Sequence, residues 1–483
     1  MIKTSLVYIL IFSLFISCKS VNYEIDETRF KESLFQQYKN APGVSYIVIE
    51  NSNIIEANSY GFANLEDSIK STNQTNYRIA SVSKQFTAFA ILQLIEKGQL
   101  SYQTNLKEVF PEFPKYGSEI TIIHLLTHRS GLINYSNFLE EGQTKQMLDK
   151  DVLKGLYKTD STYFKPGSKY KYSNTGYAVL AQIIEKTSRL SFADYMKSNI
   201  FLPLKMNNSL IYEENKNIKN RALGYIVKDS SVTLKDQSLT SAIQGDGGIY
   251  SSILDYYKWD KALYDTNIID VELLEDAYTA WKENGKTKEN GYGFGWSIKY
   301  VDSLKLLEHG GSSSGFGSHV IRVPEKELTV AIFTNRNKTG YELKDKATAL
   351  LSLQTNYQIK MPINLIIENE TKLNGVKSSL KLFDALKTNI RYQTYTSTLF
   401  YLGIDCLNSK QLEIAKSYFN KSVKEYPNFY GGYYGLAVYF EKKGNNNKAL
   451  KYYKLASDNV TTNEGWVKSI YEKKLILTKA SKI

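Results

Sequence analysis

Residue types that bind metals or form cross-links are scarce in this chain of 483 residues, which has two cysteines and four histidines. Cys18 and Cys406 are too few for a disulfide framework or for a zinc or iron–sulfur site that needs several thiolates. Only 8 prolines accompany 29 glycines, so collagen-like and proline-rich classes are excluded. With 42% hydrophobic residues, the chain can bury a sizeable core. We therefore expect a folded protein without a metal or other cofactor.

Long apolar runs are also absent, apart from Leu6–Ile16 near the start of the chain. This run follows Lys3 and is short for a membrane span, which favours an export signal over residues 1–17. Ser17-Cys18 resembles a bacterial lipoprotein processing site, so Cys18 is expected to carry a lipid that anchors the protein to a membrane. The expected location is the bacterial cell envelope, on its periplasmic or surface side. Simple secretion and an uncleaved apolar anchor are the alternatives.

Helical and strand-like patterns interleave from about residue 24 to residue 353, which predicts one α+β or α/β domain there. Residues 354–375 show no clear period and are interpreted as a linker. The expected strands are Val44–Glu50, Ile54–Tyr60 and Leu328–Thr334. The expected helices are Phe86–Lys97 and Tyr177–Lys186.

The remaining residues, 376–483, contain an internal repeat. Similar residues lie 34 positions apart in four pairs: Leu402 and Leu436, Ala415 and Ala449, Tyr418 and Tyr452, and Phe419 and Tyr453. This period resembles that of tetratricopeptide helix pairs, so we expect an all-α helical-repeat domain that can bind a protein partner. Trp466–Lys479 is expected to form a closing helix, and Cys406 is expected to pack inward.

Positive charge is concentrated in the same tail. Residues 376–483 carry 18 Lys plus Arg against 8 Asp plus Glu, a net +10 of the +12 for the whole chain. A solvated lysine-rich surface explains this excess, and attraction to anionic lipid or an envelope polymer is the alternative. No nucleic-acid-binding module is recognisable, so nucleic acid is not an expected partner.

Ser81 and Lys84 form the strongest local signal for chemistry. On a helix they share one face, and a lysine beside a serine can accept the hydroxyl proton if burial keeps part of it neutral. The same spacing occurs at two other places, Ser168/Lys171 and Ser378/Lys381. Only Ser81 opens a strongly apolar helix, so Ser81 is the expected nucleophile and Lys84 its expected base.

The tripeptide Tyr-Ser-Asn at residues 172–174 is the second element. In extended chain, Tyr172 and Asn174 project to one side, so a phenol that shuttles protons and an amide that holds substrate face the same way. The tripeptide is repeated at residues 135–137. Tyr172 is favoured because it follows a Pro-Gly turn and precedes a helix. Alone, the motif is more often a loop tyrosine that packs by its ring.

The tetrapeptide His-Gly-Gly-Ser at residues 309–312 is the third element. Two glycines let a substrate backbone approach a strand edge, and His309 can offer a hydrogen bond or partial positive charge to a carboxylate. Substrate binding is therefore expected at His309 and Gly311. The backbone N–H groups of Ser81 and Ser312 are the expected oxyanion donors. An ordinary glycine-rich turn is the alternative.

His124 and His128 have the i, i+4 spacing of zinc-binding helices, but Leu125 replaces the glutamate that metalloprotease chemistry needs. No third ligand is apparent, so packing and helix-end hydrogen bonds are their expected roles. The turn Asp246-Gly247-Gly248 receives no chemical role from the sequence.

Taken in order, the three elements resemble the serine β-lactamase and penicillin-binding-protein-like family, most closely its class C and D,D-peptidase branch. The resemblance covers about residues 40–350. It implies an antiparallel sheet flanked by helices, with a helical subdomain and the active site between them. The supporting segments are TNYRIASVSKQFTA, ITIIHLLTHRSGL, PGSKYKYSNTGYAVLAQIIEKTS, IFLPLKM, GDGGIYSSILDYYKWDKAL, GYGFGW and HGGSSSGFGS.

The resemblance also implies an acyl-enzyme mechanism in which Ser81 is the nucleophile, Lys84 its proton acceptor and Tyr172 the second acid/base group. Asn174 would hold the substrate amide. His309 departs from the lysine of many β-lactamases and agrees with the family's esterases and peptidases. The predicted function is an exported serine hydrolase that cleaves an amide or ester, for example in a D-amino-acid peptide or a small ester. A true class C-type β-lactamase and a catalytically degenerate scaffold that acts through its repeats are the alternatives.

Overall fold

The computed structural model describes residues 25–228, 231–265, 269–337, 340–460 and 465–480. The predicted signal at residues 1–17 and the predicted lipidation of Cys18 lie outside these ranges. Within them, no helix combines the length and the apolar character that a membrane crossing requires. The chain divides into two compact units, Glu27–Leu365 and a second one that includes Ile366–Ile483, and each is described by itself.

The first unit is built around an antiparallel sheet whose strands come from its two ends, with most of its helices between them in the chain. In chain order, the strands of the described residues are β1 (Val44–Glu50), β2 (Asn53–Tyr60), β3 (Phe62–Asn64), β4 (Ile69–Lys70), β5 (Tyr77–Arg78), β6 (Leu210–Ile211), β7 (Tyr225–Lys228), β8 (Ser231–Leu234), β9 (Ile249–Ser251), β10 (Ala280–Lys282), β11 (Gly285–Thr287), β12 (Gly291–Tyr292), β13 (Ser297–Val301), β14 (Leu304–Ser313), β15 (Phe316–Val323), β16 (Leu328–Thr334), β17 (Met361–Pro362) and β18 (Tyr392–Gln393).

Seven of these strands form the central antiparallel sheet, in the order β12-β13-β14-β15-β16-β1-β2. Strand β1 pairs with β16, so that Val44 lies opposite Thr334 and the two ends of the unit meet inside the sheet. Both strands are almost completely buried, which explains why their sequences read as continuous apolar runs rather than as alternating patterns. The strand predicted at Leu328–Thr334 has the same bounds in the structure.

Helices cover the sheet and form the subdomain beside it. In chain order, the helices up to residue 354 are α1 (Glu27–Phe35), α2 (Lys84–Glu96), α3 (Leu106–Val109), α4 (Ile122–Leu126), α5 (Asp149–Tyr157), α6 (Asn174–Ser188), α7 (Phe192–Met196), α8 (Ile253–Ala262), α9 (Val271–Ala277) and α10 (Gly340–Gln354).

Opposite faces of the sheet contact different helices. The ring of Phe333 meets Tyr256 of α8, with 5.6 Å between ring centroids. The next residue, Thr334, lies opposite Gly317, and a Cβ on that glycine would come 3.1 Å from Leu343 of α10. Because neighbouring residues of a strand point to opposite faces, α8 and α10 sandwich the sheet. The predicted α+β fold, an antiparallel sheet flanked by helices, is confirmed.

The second unit is helical throughout its described residues, apart from β18. Helix α11 is interrupted at Gly375 (φ 81°), and it begins at Ile363, inside the segment 354–375 that the sequence assigned to a linker. The helices are α11 (Ile363–Leu386), α12 (Thr398–Asn408), α13 (Leu412–Glu425), α14 (Tyr430–Lys442), α15 (Asn446–Asp458) and α16 (Gly465–Ala480).

The 34-residue period corresponds to two successive helix pairs, α12 with α13 and α14 with α15. Phe419 of α13 packs between glycines of two neighbouring helices. A Cβ on Gly403 or Gly435 would lie 2.4 or 2.2 Å from its ring, so small residues are needed where these helices cross. Cys406 is half-buried against the same apolar cluster, and burial raises the pKa of its thiol to about 11.

Candidate active site

Ser81 lies in a short 3-10 turn, Ala80–Ser83, directly before α2. Ala80 has a left-handed backbone (φ 47°), a conformation that costs energy for a residue with a Cβ and that recurs at functional sites. Helix α2 is buried on nearly all sides from Lys84 to Leu94, so it holds the turn rigidly. Ser83 has a buried hydroxyl that accepts the N–H of Ile249 at 3.2 Å and is therefore not available as a nucleophile.

Lys84 is the fully buried partner of this serine. Its Nζ donates to Ser81 Oγ at 3.1 Å and to the backbone oxygen of Asp246 at 2.6 Å. Burial lowers the pKa of Lys84 to about 8, although the nearby Asp246 carboxylate raises it in part. Near neutral pH a fraction of the amine is thus uncharged and able to accept the hydroxyl proton.

The two other Ser-x-x-Lys sequences have no such geometry. The hydroxyl of Ser168 donates to the backbone oxygen of Lys165, and that of Ser378 donates to Glu370. Lys171 lies instead over the ring of Tyr163, 3.7 Å from its centroid. Burial and the opening of a helix distinguish Ser81 from these copies.

The loop that supplies the Asp246 oxygen was assigned no role by the sequence. Asp149 holds this loop, because its buried carboxylate accepts the N–H groups of Gln244 at 2.7 Å and Gly245 at 3.1 Å. The Asp246 carboxylate accepts the hydroxyl of Tyr135 at 2.8 Å. Burial raises the pKa of Asp149 to about 8 and also raises that of Asp246. Tyr135, from the other Tyr-Ser-Asn tripeptide, therefore stabilises this loop through its hydrogen bond to Asp246.

Tyr172 lies over Lys84, whose Nζ is 5.1 Å from the centroid of the phenol ring. The residue is 40% exposed, so one side of it faces open space while the other faces the lysine. Burial of the hydroxyl raises the pKa of Tyr172, and hydrogen bonding with Ser81 lowers it in part. Asn174 begins α6, and its Oδ1 is buried without a hydrogen-bond partner among the described residues.

His128 fixes the segment that carries Tyr172. Its Nδ1 accepts the N–H of Ser173 at 3.1 Å, so the proton of the neutral ring sits on Nε2. The ring centroids of His128 and Tyr172 are 4.2 Å apart, and burial holds the pKa of His128 well below its usual range. His124, by contrast, accepts the N–H of Thr121 at the start of α4. Both histidines thus pack or hydrogen-bond locally.

Strand β14 passes directly beside the turn that carries the nucleophile. A Cβ on Gly311 would lie 2.4 Å from the backbone oxygen of Ile79 and 2.3 Å from Ser318 Oγ. Only a glycine permits this approach. Strand β13 pairs with β14 as far as Glu308, and beyond that residue no strand of the described ranges pairs with this edge. Ser312 is exposed in this part of the strand.

His309 is neutral and has both ring nitrogens engaged. Its Nδ1 donates to the oxygen of Gly310 at 2.8 Å, and its Nε2 therefore accepts the hydroxyl of Tyr292 at 2.9 Å. Burial and the nearby charge of Lys84 lower the pKa of His309 to about 3. The ring therefore carries no full positive charge near neutral pH.

A cavity of about 810 Å³ opens beside Tyr172 and His309. Its walls combine aromatic rings with charged side chains, a mixture that is common in sites for small organic ligands. The residues that line it are Arg129, Tyr170, Tyr172, Trp281, Lys282, Glu283, Asn284, Asn290, Gly291, Tyr292, Ser297, Glu308, His309, Gly310 and His319.

The Beta-lactamase family model matches residues 32–354. The chain belongs to this family. Penicillin-binding protein 4* of Bacillus subtilis (strain 168) is 33% identical over 314 residues, which are 61% of this chain and 69% of that protein. Protein flp of Staphylococcus aureus (strain MRSA252) is 24% identical over 306 residues, and the match spans 62% of this chain but only 61% of that protein.

Solved structures agree with the family match. The octameric penicillin-binding protein homologue from Pyrococcus abyssi has a TM-score of 0.61 and 28% identity, and the match covers 72% of this chain and 82% of that chain. The D-amino acid amidase from Ochrobactrum anthropi SV3 complexed with L-phenylalanine has a TM-score of 0.58 over 68% of this chain and 99% of that chain. At 20% identity, it shows the fold alone. The predicted family is confirmed, and it is a family of serine hydrolases.

Proposed function

We propose that this protein hydrolyses an amide or ester through an acyl-enzyme on Ser81, with Lys84 as the base and Tyr172 as the second acid/base group. The observation that carries the proposal is the 3.1 Å hydrogen bond between Ser81 Oγ and a fully buried lysine whose pKa is lowered to about 8. An amine that is partly neutral near pH 7 and hydrogen-bonded to a hydroxyl can accept the proton of that hydroxyl.

The proposed reaction has two steps. Neutral Lys84 accepts the Ser81 proton as Oγ bonds to the substrate carbonyl carbon, the C–N or C–O bond breaks, and the leaving group takes a proton relayed by Tyr172. Water then attacks the acyl carbon, passes its proton to the same groups, and releases a carboxylic acid and free Ser81. The N–H groups of Ser81 and Ser312 are proposed to stabilise the oxyanion, with Asn174 holding the substrate amide.

The neutral state of His309 favours a peptidase or esterase over a true β-lactamase. A β-lactamase that holds the substrate carboxylate at this strand position needs a cation there, and an uncharged imidazole with both nitrogens occupied does not supply one. We therefore propose a D-amino-acid peptide or a small ester as substrate.

The test of this proposal is covalent labelling with a fluorophosphonate probe. We expect the wild-type protein and the Ser168→Ala variant to be labelled, because Ser168 lies in an exposed copy of the motif. Ser81→Ala should not be labelled. Equal labelling of Ser81→Ala, or none of the wild type, would contradict the proposal. Turnover of p-nitrophenyl esters without turnover of nitrocefin is the expected substrate pattern.

We also propose that the protein is exported and anchored in the cell envelope through a lipid on Cys18. The support is the apolar run that ends at Ser17-Cys18. Growth with a palmitate analogue should label the wild-type protein but not Cys18→Ala. A mature protein without label would leave secretion as the explanation.

A further inference from the structure

Arg129 is a buried cation in the wall of the cavity beside the active site. The residue is 8% exposed. Its Nε and Nη2 both donate to the backbone oxygen of Gly167, at 3.0 and 2.5 Å. One acceptor therefore takes two of the five guanidinium N–H groups, and three remain for another partner.

No carboxylate oxygen of the described residues lies within 4.0 Å of this guanidinium. The other deeply buried arginines are compensated differently. Arg322 pairs with Asp260 at 2.7 Å, and Arg78 acts on the buried carboxylate of Asp246. Glu283 acts on Arg129 only from beyond 4.0 Å, so the guanidinium has no direct carboxylate partner in the free protein, and an anion in contact with it would stabilise it.

The other charges that line the cavity do not supply that partner. Glu308 is bonded to Lys299 and Lys344 from neighbouring elements. Lys282 pairs with a glutamate, and Glu283 is exposed in the turn between β10 and β11. His309 is neutral and His319 contributes no cation near neutral pH, because burial lowers the pKa of His319 to about 4. Arg129 is thus the buried cation available to a ligand in this wall.

We propose that Arg129 binds a carboxylate of the substrate, so that the enzyme acts on carboxylate-bearing peptides or acylated amino acids. This inference rests on the proposed hydrolase function. A guanidinium and a carboxylate form charge-assisted hydrogen bonds that tolerate burial, and an amide in the same place cannot supply the missing charge. The aromatic rings of Tyr170 and Trp281 give the remainder of such a ligand an apolar surface.

The experiment compares matched substrates. Two pairs of ester substrates are needed, and each pair consists of a carboxylic acid and the corresponding carboxamide. In the first pair this group lies in the acyl part of the ester. In the second pair it lies in the leaving group. The wild type should favour the acid over the carboxamide in one pair by about 10- to 100-fold in kcat/KM. Arg129→Gln should bring this ratio close to one, Arg129→Lys should retain part of it, and Lys171→Gln, at a cation that does not line the cavity, should leave it unchanged.

Two results would overturn the inference. One is a wild-type enzyme with no preference in either pair. The other is an Arg129→Gln variant that loses activity on acid and carboxamide equally, since Arg129 would then only brace the turn at Gly167. Fluorophosphonate labelling distinguishes failure of this inference from failure of the hydrolase proposal. If Ser81 is labelled, the hydrolase proposal stands and only the role of Arg129 is wrong. If no ester is turned over, calorimetric binding of the same acids and carboxamides to Ser81→Ala gives the same comparison.

Discussion

At the scale of single residues, the chemistry of this site depends on where one proton resides. Lys84 meets the Ser81 hydroxyl and a backbone oxygen, and neither of these is a counter-charge. Burial therefore acts against the ammonium form more strongly than the Asp246 carboxylate supports it, and the pKa of Lys84 falls to about 8. Tyr172 keeps its proton, because its pKa is raised above the ordinary value for a phenol.

The pH dependence of acylation follows from this difference. Only neutral Lys84 can accept the Ser81 proton, so the second-order rate of fluorophosphonate labelling should rise with pH and level off above about pH 8. Below that value it should fall about tenfold per pH unit. Rapid-mixing measurements from pH 5.5 to 9.5 test this profile. A flat profile, or a rate that falls as pH rises, contradicts Lys84 as the base.

A charge-preserving substitution tests the same residue differently. Lys84→Arg keeps a cation, but a guanidinium does not release its proton near neutral pH, so labelling of Ser81 should fall by at least about 10³-fold. Lys171→Arg is the matched control, because Lys171 occupies the same position in an exposed copy of the motif. In the Lys171→Arg variant, Ser81 should be labelled at the wild-type rate. Equal effects of the two substitutions on the labelling rate would contradict the role of Lys84 as the base.

The sequence predicted the side chains that meet at the site but not the backbone groups that hold them. Ser81, Lys84 and Tyr172 could be found because each has a distinctive residue type at a fixed spacing. The oxygen of Asp246 could not, since any residue can supply a backbone carbonyl. The role proposed for Arg129 depends on its burial without a direct carboxylate partner, and a sequence does not reveal which carboxylates lie nearby.

At the scale of elements, the site depends on the close approach of strand β14 to the turn before α2. This approach occurs at Gly311, where the two backbones leave no room for a side chain. Strands and helices with strong apolar patterns were predicted to within a few residues, as for α2 at Lys84–Glu96. Their approach to one another is set by tertiary packing, so only the paired glycines at residues 310–311 gave a hint of it.

Adding one methyl group to this contact should therefore disable the site. Gly311→Ala places a Cβ 2.4 Å from the oxygen of Ile79, and the strand must move away from the turn. We expect the Ser81 labelling rate to fall by about 100-fold and the unfolding free energy to fall by roughly 1–3 kcal/mol.

Gly310→Ala is the matched control, because it adds the same group to the opposite face of the strand. Its Cβ would lie 3.1 Å from His319 Nδ1, and an imidazole can shift more easily than a backbone. Labelling should then fall by less than about tenfold. A larger loss for Gly310→Ala than for Gly311→Ala would show that β14 does not need this close contact.

At the scale of the whole molecule, the chain contains two compact units, and all residues proposed for catalysis lie within Glu27–Leu365. A covalent adduct on Ser81 forms within that unit. Units with separate cores commonly unfold in separate transitions, and a ligand stabilises the unit that binds it.

Calorimetry of the full chain should accordingly resolve two unfolding transitions. Acylation of Ser81 by a fluorophosphonate should raise the midpoint of one transition by a few degrees, about 2–4 °C per kcal/mol of stabilisation, and leave the other in place. Ser81→Ala treated in the same way should move neither transition, because it has no hydroxyl to acylate. A single transition that shifts as a whole would mean that the helical unit and the hydrolase unit unfold as one cooperative body.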